Sequence, residues 1–333
     1  MTKIVFTCGD VNGIGPEIAF KCFNKIFQTN NSRQIIFICP KNVFDHYYKL
    51  IRSNFKVKYY DNKNLSTERL NLILLTNAKL NIGKPTVSSG RISYNSILKA
   101  VKLVNSYNAD IIVTPPISKE AFGLAGIKYP GHTELLADAE KTKHFQMVFV
   151  SDKIKAGLLT IHKPLAKVPG LITKQKIISS IRLLYQSAVS DFGIKNPRIA
   201  VLGLNPHAGE NGLIGMEEIK IIGPALSSIK NNINVQGPFV PDAFWGNKIY
   251  KDFDIVLGMY HDQVLIPFKL LNFSRGVNFT AGLKLIRTSP DHGTAFDIAG
   301  KNLADESSLM QAYNFGIKIY KNRKKYLAAP KTR

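Results

Sequence analysis

The chain has 333 residues, 45% of them apolar, and a formal charge of +22 at pH 7, which suits a folded protein of two packed domains. No apolar run approaches the roughly 18 residues needed to span a bilayer, and MTKIVFTCGD meets Asp10 too soon to form a secretory leader, so a cytoplasmic address with no membrane partner is expected. The lysines are spread along the chain, without a basic stripe interleaved with aromatics, so the charge points away from nucleic acid and towards small anionic ligands.

In chain order, KIVFTCG reads as a strand and PEIAFKCFNKIF as an amphipathic helix. QIIFICP and KVKYYD are further strands, ISYNSILKAVKLVNSYN a long helix, and DIIVTPP, QMVFVSD and GLLTIH strands again. TKQKIISSIRLLYQSAVSDFG predicts a second long helix, and RIAVLGLNP and DIVLGMYHD two more strands. YKNRKKYLAAPKTR closes the chain as a solvated helix end and tail. Strands alternating with helices imply an α/β fold with a largely parallel sheet. Cys8, Cys22 and Cys39 show neither paired spacing nor a metal motif and are expected to be buried thiols in a reducing compartment.

Ligands of such sheets gather at the carboxyl ends of the strands. Of the seven histidines, His162 follows GLLTI, His207 follows RIAVLGLNP, and His261 follows DIVLGMY. Taken singly, a strand-end histidine is more often a polar loop residue than a ligand. Three at corresponding positions put three neutral imidazoles on one rim, a donor set for a divalent metal with open positions left over. Their wide spacing requires a site assembled by the fold or by two chains. Asp262, beside His261, is read as an orienter of that ring or as a base, with a loop-capping role equally open.

A second constellation serves anions. Lys269, Asn278 and Arg287 lie close in sequence around a glycine-containing loop, and GHTE contributes His132 and Thr133, although Thr133 also reads as a helix N-cap. GDVNGIGPEI lacks the GxGxxG spacing, and no GxxxxGK[ST] occurs, so a nucleotide must be bound in another way. DHGTAFDIAGK, with glycines that let backbone approach a ligand, is the better place for one.

Seven motifs, GDVNGIGPEIA, TPPISKEA, YPGHTELLA, LNPHAGENGLIGMEE, GPFVPDAFW, YHDQVLIPFK and GLKLIRTSPDHGTAFDIAGK, run in this order through nearly the whole chain. Together they resemble the 4-hydroxythreonine-4-phosphate dehydrogenase family of vitamin B6 biosynthesis. DHGTAFDIAGK is also similar to the adenosine-binding loop of isopropylmalate dehydrogenase. The resemblance implies two α/β/α domains of isocitrate/isopropylmalate dehydrogenase type with the active site in the cleft between them. Residues 1–130 with 285–333 would form the cofactor-side domain, and 131–284 the metal, substrate and dimerisation domain.

It further implies metal ligands at His162, His207 and His261, holding one zinc, magnesium or cobalt ion per subunit. Substrate contacts would fall on His132, Thr133, Lys269, Asn278 and Arg287, and NAD or NADP contacts on His292, Gly293, Thr294, Ala295 and Asp297. The expected partner is a second copy, with His162 and His207 from one chain and His261 from the other. The implied reaction oxidises the 3-hydroxyl of a small phosphorylated amino acid and then releases its carboxylate as carbon dioxide, with Asp242 or Asp262 as base. A related four-carbon acid phosphate as substrate, and a catalytically silent metal-dependent binding protein, are the alternatives. Val11-Asn12 stands where the family has Pro-Ala, Pro290 where it has valine, and Val264 where it has glycine. A loop needing positive φ at position 264 would resist valine.

Overall fold

A computed structural model describes residues 1–29, 33–272 and 275–329. The chain divides into two compact units, Met1–Lys143 with Leu283–Ile317, and His144–Gly282 with Lys318–Arg333. Among the described residues, no helix is long and apolar enough to cross a membrane.

The first unit runs β1 (Lys3–Thr7), α1 (Gly15–Gln28), β2 (Gln34–Pro40), α2 (Lys41–Leu50), β3 (Lys56–Tyr59), β4 (Arg69–Leu75), α3 (Val87–Asn105), β5 (Ile111–Val113), α4 (Lys119–Leu124) and α5 (His132–Ala139), and takes up β12 (Ile286–Pro290) later in the chain. Its strands lie in the order β3-β4-β2-β1-β5-β12, every pair parallel. Strands such as IVF, IIFIC and IIV are apolar on both faces because helices cover both sides of a parallel sheet. Phe20 and Phe23 of α1 pack on Phe37 of β2 and on Phe55, filling one of those layers. Cys8, Cys22 and Cys39 are buried free thiols, as expected. Burial pushes the thiols of Cys22 and Cys39 well above their ordinary range, which keeps them unreactive.

The second unit comprises β6 (Gln146–Val150), β7 (Lys155–Leu158), α6 (Lys174–Ser190), β8 (Ile199–Leu202), α7 (Gly223–Ser227), β9 (Val235–Phe239), α8 (Pro241–Gly246), β10 (Ile255–Gly258), α9 (His261–Asn272) and β11 (Val277–Ala281). The order is β11-β6-β7-β10-β8-β9. β7, β10, β8 and β9 are mutually parallel, and β6 is antiparallel to both its neighbours. Its core gathers Phe149, Leu158, Leu202, Phe244, Val256, Val264 and Phe268. The last helix, α10 (Ser307–Ala328), carries most of the basic C-terminal cluster, and residues 330–333 of that cluster lie outside the described residues.

Most predicted elements stand, with shifted ends. The long helix expected from Ile92 starts at Val87 because the Thr86 and Ser89 side chains close a capping box there. α6 begins after Thr173, whose hydroxyl accepts the Lys176 N–H. The strand read through His162 ends at Leu158, and the one read through Asp262 ends at Gly258 and gives way to a helix at His261. β4, β9, β11 and β12 were not anticipated.

Candidate active site

His162, His207 and His261 follow β7, β8 and β10, and β10 pairs in parallel with both of the others. The three histidines therefore stand at the carboxyl ends of adjacent strands, with the His261 strand in the middle. His162 and His207 both have positive φ, 50° and 51°. Left-handed backbone costs a non-glycine residue about 1–2 kcal/mol, and strain of this kind collects at functional sites. The rings of His162 and His261 lie with centroids 5.7 Å apart. Two imidazoles bound to one ion at Zn–N of about 2.1 Å in tetrahedral geometry have centroids roughly 5 Å apart, a separation of similar size. Among the described residues, no group of three His, Cys, Asp or Glu side chains is gathered to hold a metal.

Three hydrogen-bonded links tie the loops of this rim together. The Thr160 hydroxyl donates to the Met259 carbonyl at 2.6 Å, joining the His162 loop to the His261 loop. Gln263 then spans to the His207 side: its Oε1 accepts the Met259 N–H at 2.7 Å and its Nε2 donates to the Gly203 carbonyl at 2.6 Å. His261 Nδ1 lies 2.6 Å from Asp262 Oδ1, which leaves Nε2 for another partner. Asp242 is exposed at the start of α8 and lines a cavity of about 230 Å³ with His207, Asn205 and Tyr260. Val264 raises no backbone conflict: it lies inside α9 with its side chain fully buried, close to where a Cβ on Gly258 would stand. The expected loop is a helix, and the valine is a core residue of it. Lys269 is half-buried in the last turn of α9, and Asn278 sits on β11 with its Oδ1 buried and without a hydrogen-bond partner.

The anion-binding candidates of the first unit centre on Arg287. It belongs to β12, is 2% exposed, and donates from Nε to the Thr114 hydroxyl at 2.9 Å, while its Nη1 is buried without a partner. Burial pulls the guanidinium down to about 9, opposed by the charge of Glu134, so it remains a cation at neutral pH. His132 opens α5, which makes Thr133 a first-turn residue rather than the N-cap; Gly131 takes that position. Burial, helped by the charge of Arg287, holds the His132 imidazole well below its ordinary range, and its Nε2 is also buried without a partner. A buried cation with an unused donor beside a neutral imidazole with an unused nitrogen is a constellation prepared for an anionic, hydrogen-bonding ligand.

Residues 291–301 form turns, as their glycines suggest. The Ile14 N–H donates to the Thr294 carbonyl at 2.9 Å, and a Cβ on Gly13 would stand 2.8 Å from that oxygen. GDVNGIG thus carries glycine at position 13 to let this loop approach. His292 Nδ1 contacts the Gly293 carbonyl at 3.1 Å, and its buried Nε2 has no partner. Ala295 has a φ of 40°, and Gly293 and Asp297 are exposed. Beneath the loop, Asp10 is fully buried and accepts the Asn12 N–H at 2.9 Å and the Ser89 hydroxyl at 3.1 Å. Burial lifts its carboxyl to about 6, against the pull of these hydrogen bonds. Asn12, one of the departures from the family pattern, is also fully buried: its amide donates to the Lys84 carbonyl and the Thr86 hydroxyl and accepts the Asn81 N–H. Asp10, Thr114, Gln263 and Glu218 carry no sequence signal beyond being polar residues within the motifs, Asp10 beside Gly9 and Thr114 beside Pro115.

Comparison with known proteins supplies a family. The model of pyridoxal phosphate biosynthetic protein PdxA matches residues 31–316. The chain is 42% identical over 326 residues to a 4-hydroxythreonine-4-phosphate dehydrogenase of Sulfurihydrogenibium sp., covering 97% of this chain and 100% of that one. It is 38% identical over 325 residues to a putative D-threonate 4-phosphate dehydrogenase of Oceanobacillus iheyensis, covering 95% and 97%. The crystal structure of 4-hydroxythreonine-4-phosphate dehydrogenase from Klebsiella pneumoniae superposes with a TM-score of 0.84 at 35% identity, covering 96% and 98%. Isocitrate dehydrogenase from Methylococcus capsulatus, at 13% identity and a TM-score of 0.50, over 97% and 87% of the two chains, shares the fold.

Proposed function

The chain belongs to the PdxA family of pyridoxal phosphate biosynthetic proteins, and on that premise we propose that it oxidises 4-(phosphooxy)-L-threonine at its 3-hydroxyl with NAD or NADP and decarboxylates the product to 3-amino-2-oxopropyl phosphate. The observation that carries the reading is the row of three histidines at the carboxyl ends of adjacent parallel strands.

His162, His207 and His261 would hold one zinc, magnesium or cobalt ion. Bound there, such an ion supplies a Lewis acid that eases loss of the hydroxyl proton and stabilises the negative charge on that oxygen when the carboxylate leaves. Asp262 fixes the His261 ring through Nδ1, and Asp242, exposed beside His207, is the acceptor for the hydroxyl proton. Arg287, with its unused Nη1, and His132, with its unused Nε2, take the phosphate together with Thr133. Lys269 and Asn278 would orient the rest of the substrate. His292, Gly293, Thr294, Ala295 and Asp297 would hold NAD or NADP, which would supply the hydride acceptor. The first unit is thus the cofactor-side domain, and the second serves metal and dimerisation.

The site is completed in a two-fold dimer, His162 and His207 coming from one chain and His261 from its partner. One observation favours a different division: His162 and His261 of a single chain already lie side by side. The relative from Oceanobacillus likewise favours a second substrate reading, a threonate-type 4-phosphate. Both substrate readings are tested by following nicotinamide reduction with NAD and NADP across 4-(phosphooxy)-L-threonine, erythronate 4-phosphate and D-threonate 4-phosphate. The highest kcat/KM for the amino acid supports the first reading, and preference for threonate phosphate replaces it with the second. No turnover with any of them, in metal-loaded protein, returns the chain to a binding role.

A further inference from the structure

The His207 loop is wound the wrong way for L-residues. From His207 to Gly212 every φ is positive: 51°, 50°, 84°, 44°, 52° and 96°. Four of these six residues, His207, Ala208, Glu210 and Asn211, are not glycine. Backbone of that hand persists only where the surroundings over-determine it. The loop's own backbone bonds, from Ala208 to Asn205, Leu213 to Glu210 and Ile214 to Gly209, close turns but tie it to nothing beyond itself.

The anchor is a carboxylate that follows the loop in sequence and packs at its base. Glu218 is 4% exposed. One of its oxygens accepts the N–H groups of Leu204 and Asn205 at 2.7 and 2.8 Å, and the other accepts the Asn205 amide at 2.9 Å. The same amide reaches Glu217 at 2.8 Å. Space for the carboxylate is made by glycine: a Cβ on Gly209 would stand 2.7 Å from one oxygen, and a Cβ on Gly203 3.2 Å from the other. Gly203 is held in turn by Gln263. The end of β8 is therefore fixed on one side by Gln263 and on the other by Glu218, with the loop leaving between them.

We propose that Glu218 is a positioning residue, holding the 204–209 stretch so that the left-handed loop presents His207 to a divalent cation; this rests on the metal reading above. The side chain acts through Leu204, Asn205 and the glycines and touches no substrate.

The test uses metal-stripped full-length protein in wild-type, Glu218→Gln and His207→Ala forms. Each is titrated with zinc ion against a chromophoric chelator, and each is subjected to limited proteolysis without metal. Glutamine keeps the shape but turns a donor group towards backbone and side-chain donors, so the pocket must rearrange. Glu218→Gln is expected to weaken zinc binding about 10- to 100-fold and to speed cleavage within 206–212 several-fold. Zinc affinity and cleavage rate both matching wild type would overturn the proposal. Should Glu218→Gln fail to fold, Asn205→Ala, which leaves the two backbone bonds to Glu218 in place, is held to the same two readouts in the same direction. If His207→Ala binds zinc as tightly as wild type, the metal reading itself has failed. That failure is told apart from failure of the anchor by the cleavage assay, which involves no metal.

Discussion

Asp10→Asn gives a pH signature whose size follows from the structure. The Asp10 carboxyl, fully buried, titrates at about 6 against an ordinary value of 3.8, burial being the largest cause. Between those values the folded chain holds a proton that the unfolded chain has released, so stability falls as pH rises. The neutral carboxyl's advantage is complete below about 3.8 and is lost as pH passes through about 6. A difference of about 2 units corresponds to about 3 kcal/mol. Asparagine keeps an acceptor for the Asn12 N–H and has no charge to bury. Urea denaturation followed by circular dichroism from pH 4 to pH 8 should therefore show Asp10→Asn gaining on wild type by up to about 3 kcal/mol across that range. The turn that brings Gly13 and Ile14 against Thr294 is closed by backbone carbonyls, including that of Asp10, so it is retained in Asp10→Asn. A stability difference between the two proteins that does not change with pH would refute the reasoning.

Other outcomes follow from the same geometry. Exhaustive chelation should abolish turnover, with recovery on adding back zinc, cobalt or magnesium; full activity in metal-free enzyme counts against the histidine site. Arg287→Ala removes a charge-assisted contact worth about 1.5–3 kcal/mol and should raise KM roughly ten- to a hundredfold, with a smaller effect on a non-phosphorylated analogue. Equal losses on both substrates would move Arg287 away from the phosphate. Val264→Gly, which restores the family residue, should destabilise the protein by about 2–3 kcal/mol in denaturant melts, because it empties a packed site and loosens a helix. Inactive His162→Ala and His261→Ala proteins, unfolded together and refolded, should regain about a quarter of wild-type activity if the two ligands come from different chains. No recovery despite hybrid formation would assign both to one chain, as their adjacency suggests.

The rim of histidines was legible in sequence because its signal is local. An apolar run with a histidine at its end states both the strand and the place where the strand opens to solvent, and parallel pairing then aligns such ends. Arg287 was legible as a motif residue but not as a buried one. Its depth depends on β12 lying beside β5 and on Thr114 accepting its Nε–H, and these partners come from distant parts of the chain. Element ends were misplaced for a similar reason. Nothing in DIVLGMYHDQVLIPFK distinguishes a strand that runs on through His261 from one that stops at Gly258, and Pro267 argues against the helix that forms.

What remained hidden was the polar scaffold behind the motif residues. Thr160, Gln263 and Glu218 each make one end of a contact whose other end is a backbone group. Backbone groups leave no trace in residue identity, so these contacts are invisible until the loops are placed. The exceptions are the glycines at 203, 209 and 215. A Cβ on the last would come within 2.2 Å of the Asn205 amide, so all three record, as an absence of side chain, the presence of a packed polar cluster. In LNPHAGENGLIGMEE the histidine draws the eye, yet the two glutamates at the end and the glycines between them determine where its ring can stand. A motif of this kind encodes a ligand together with the structure that aims it. The histidine alone, grafted onto a right-handed turn, would keep its imidazole but leave the rim.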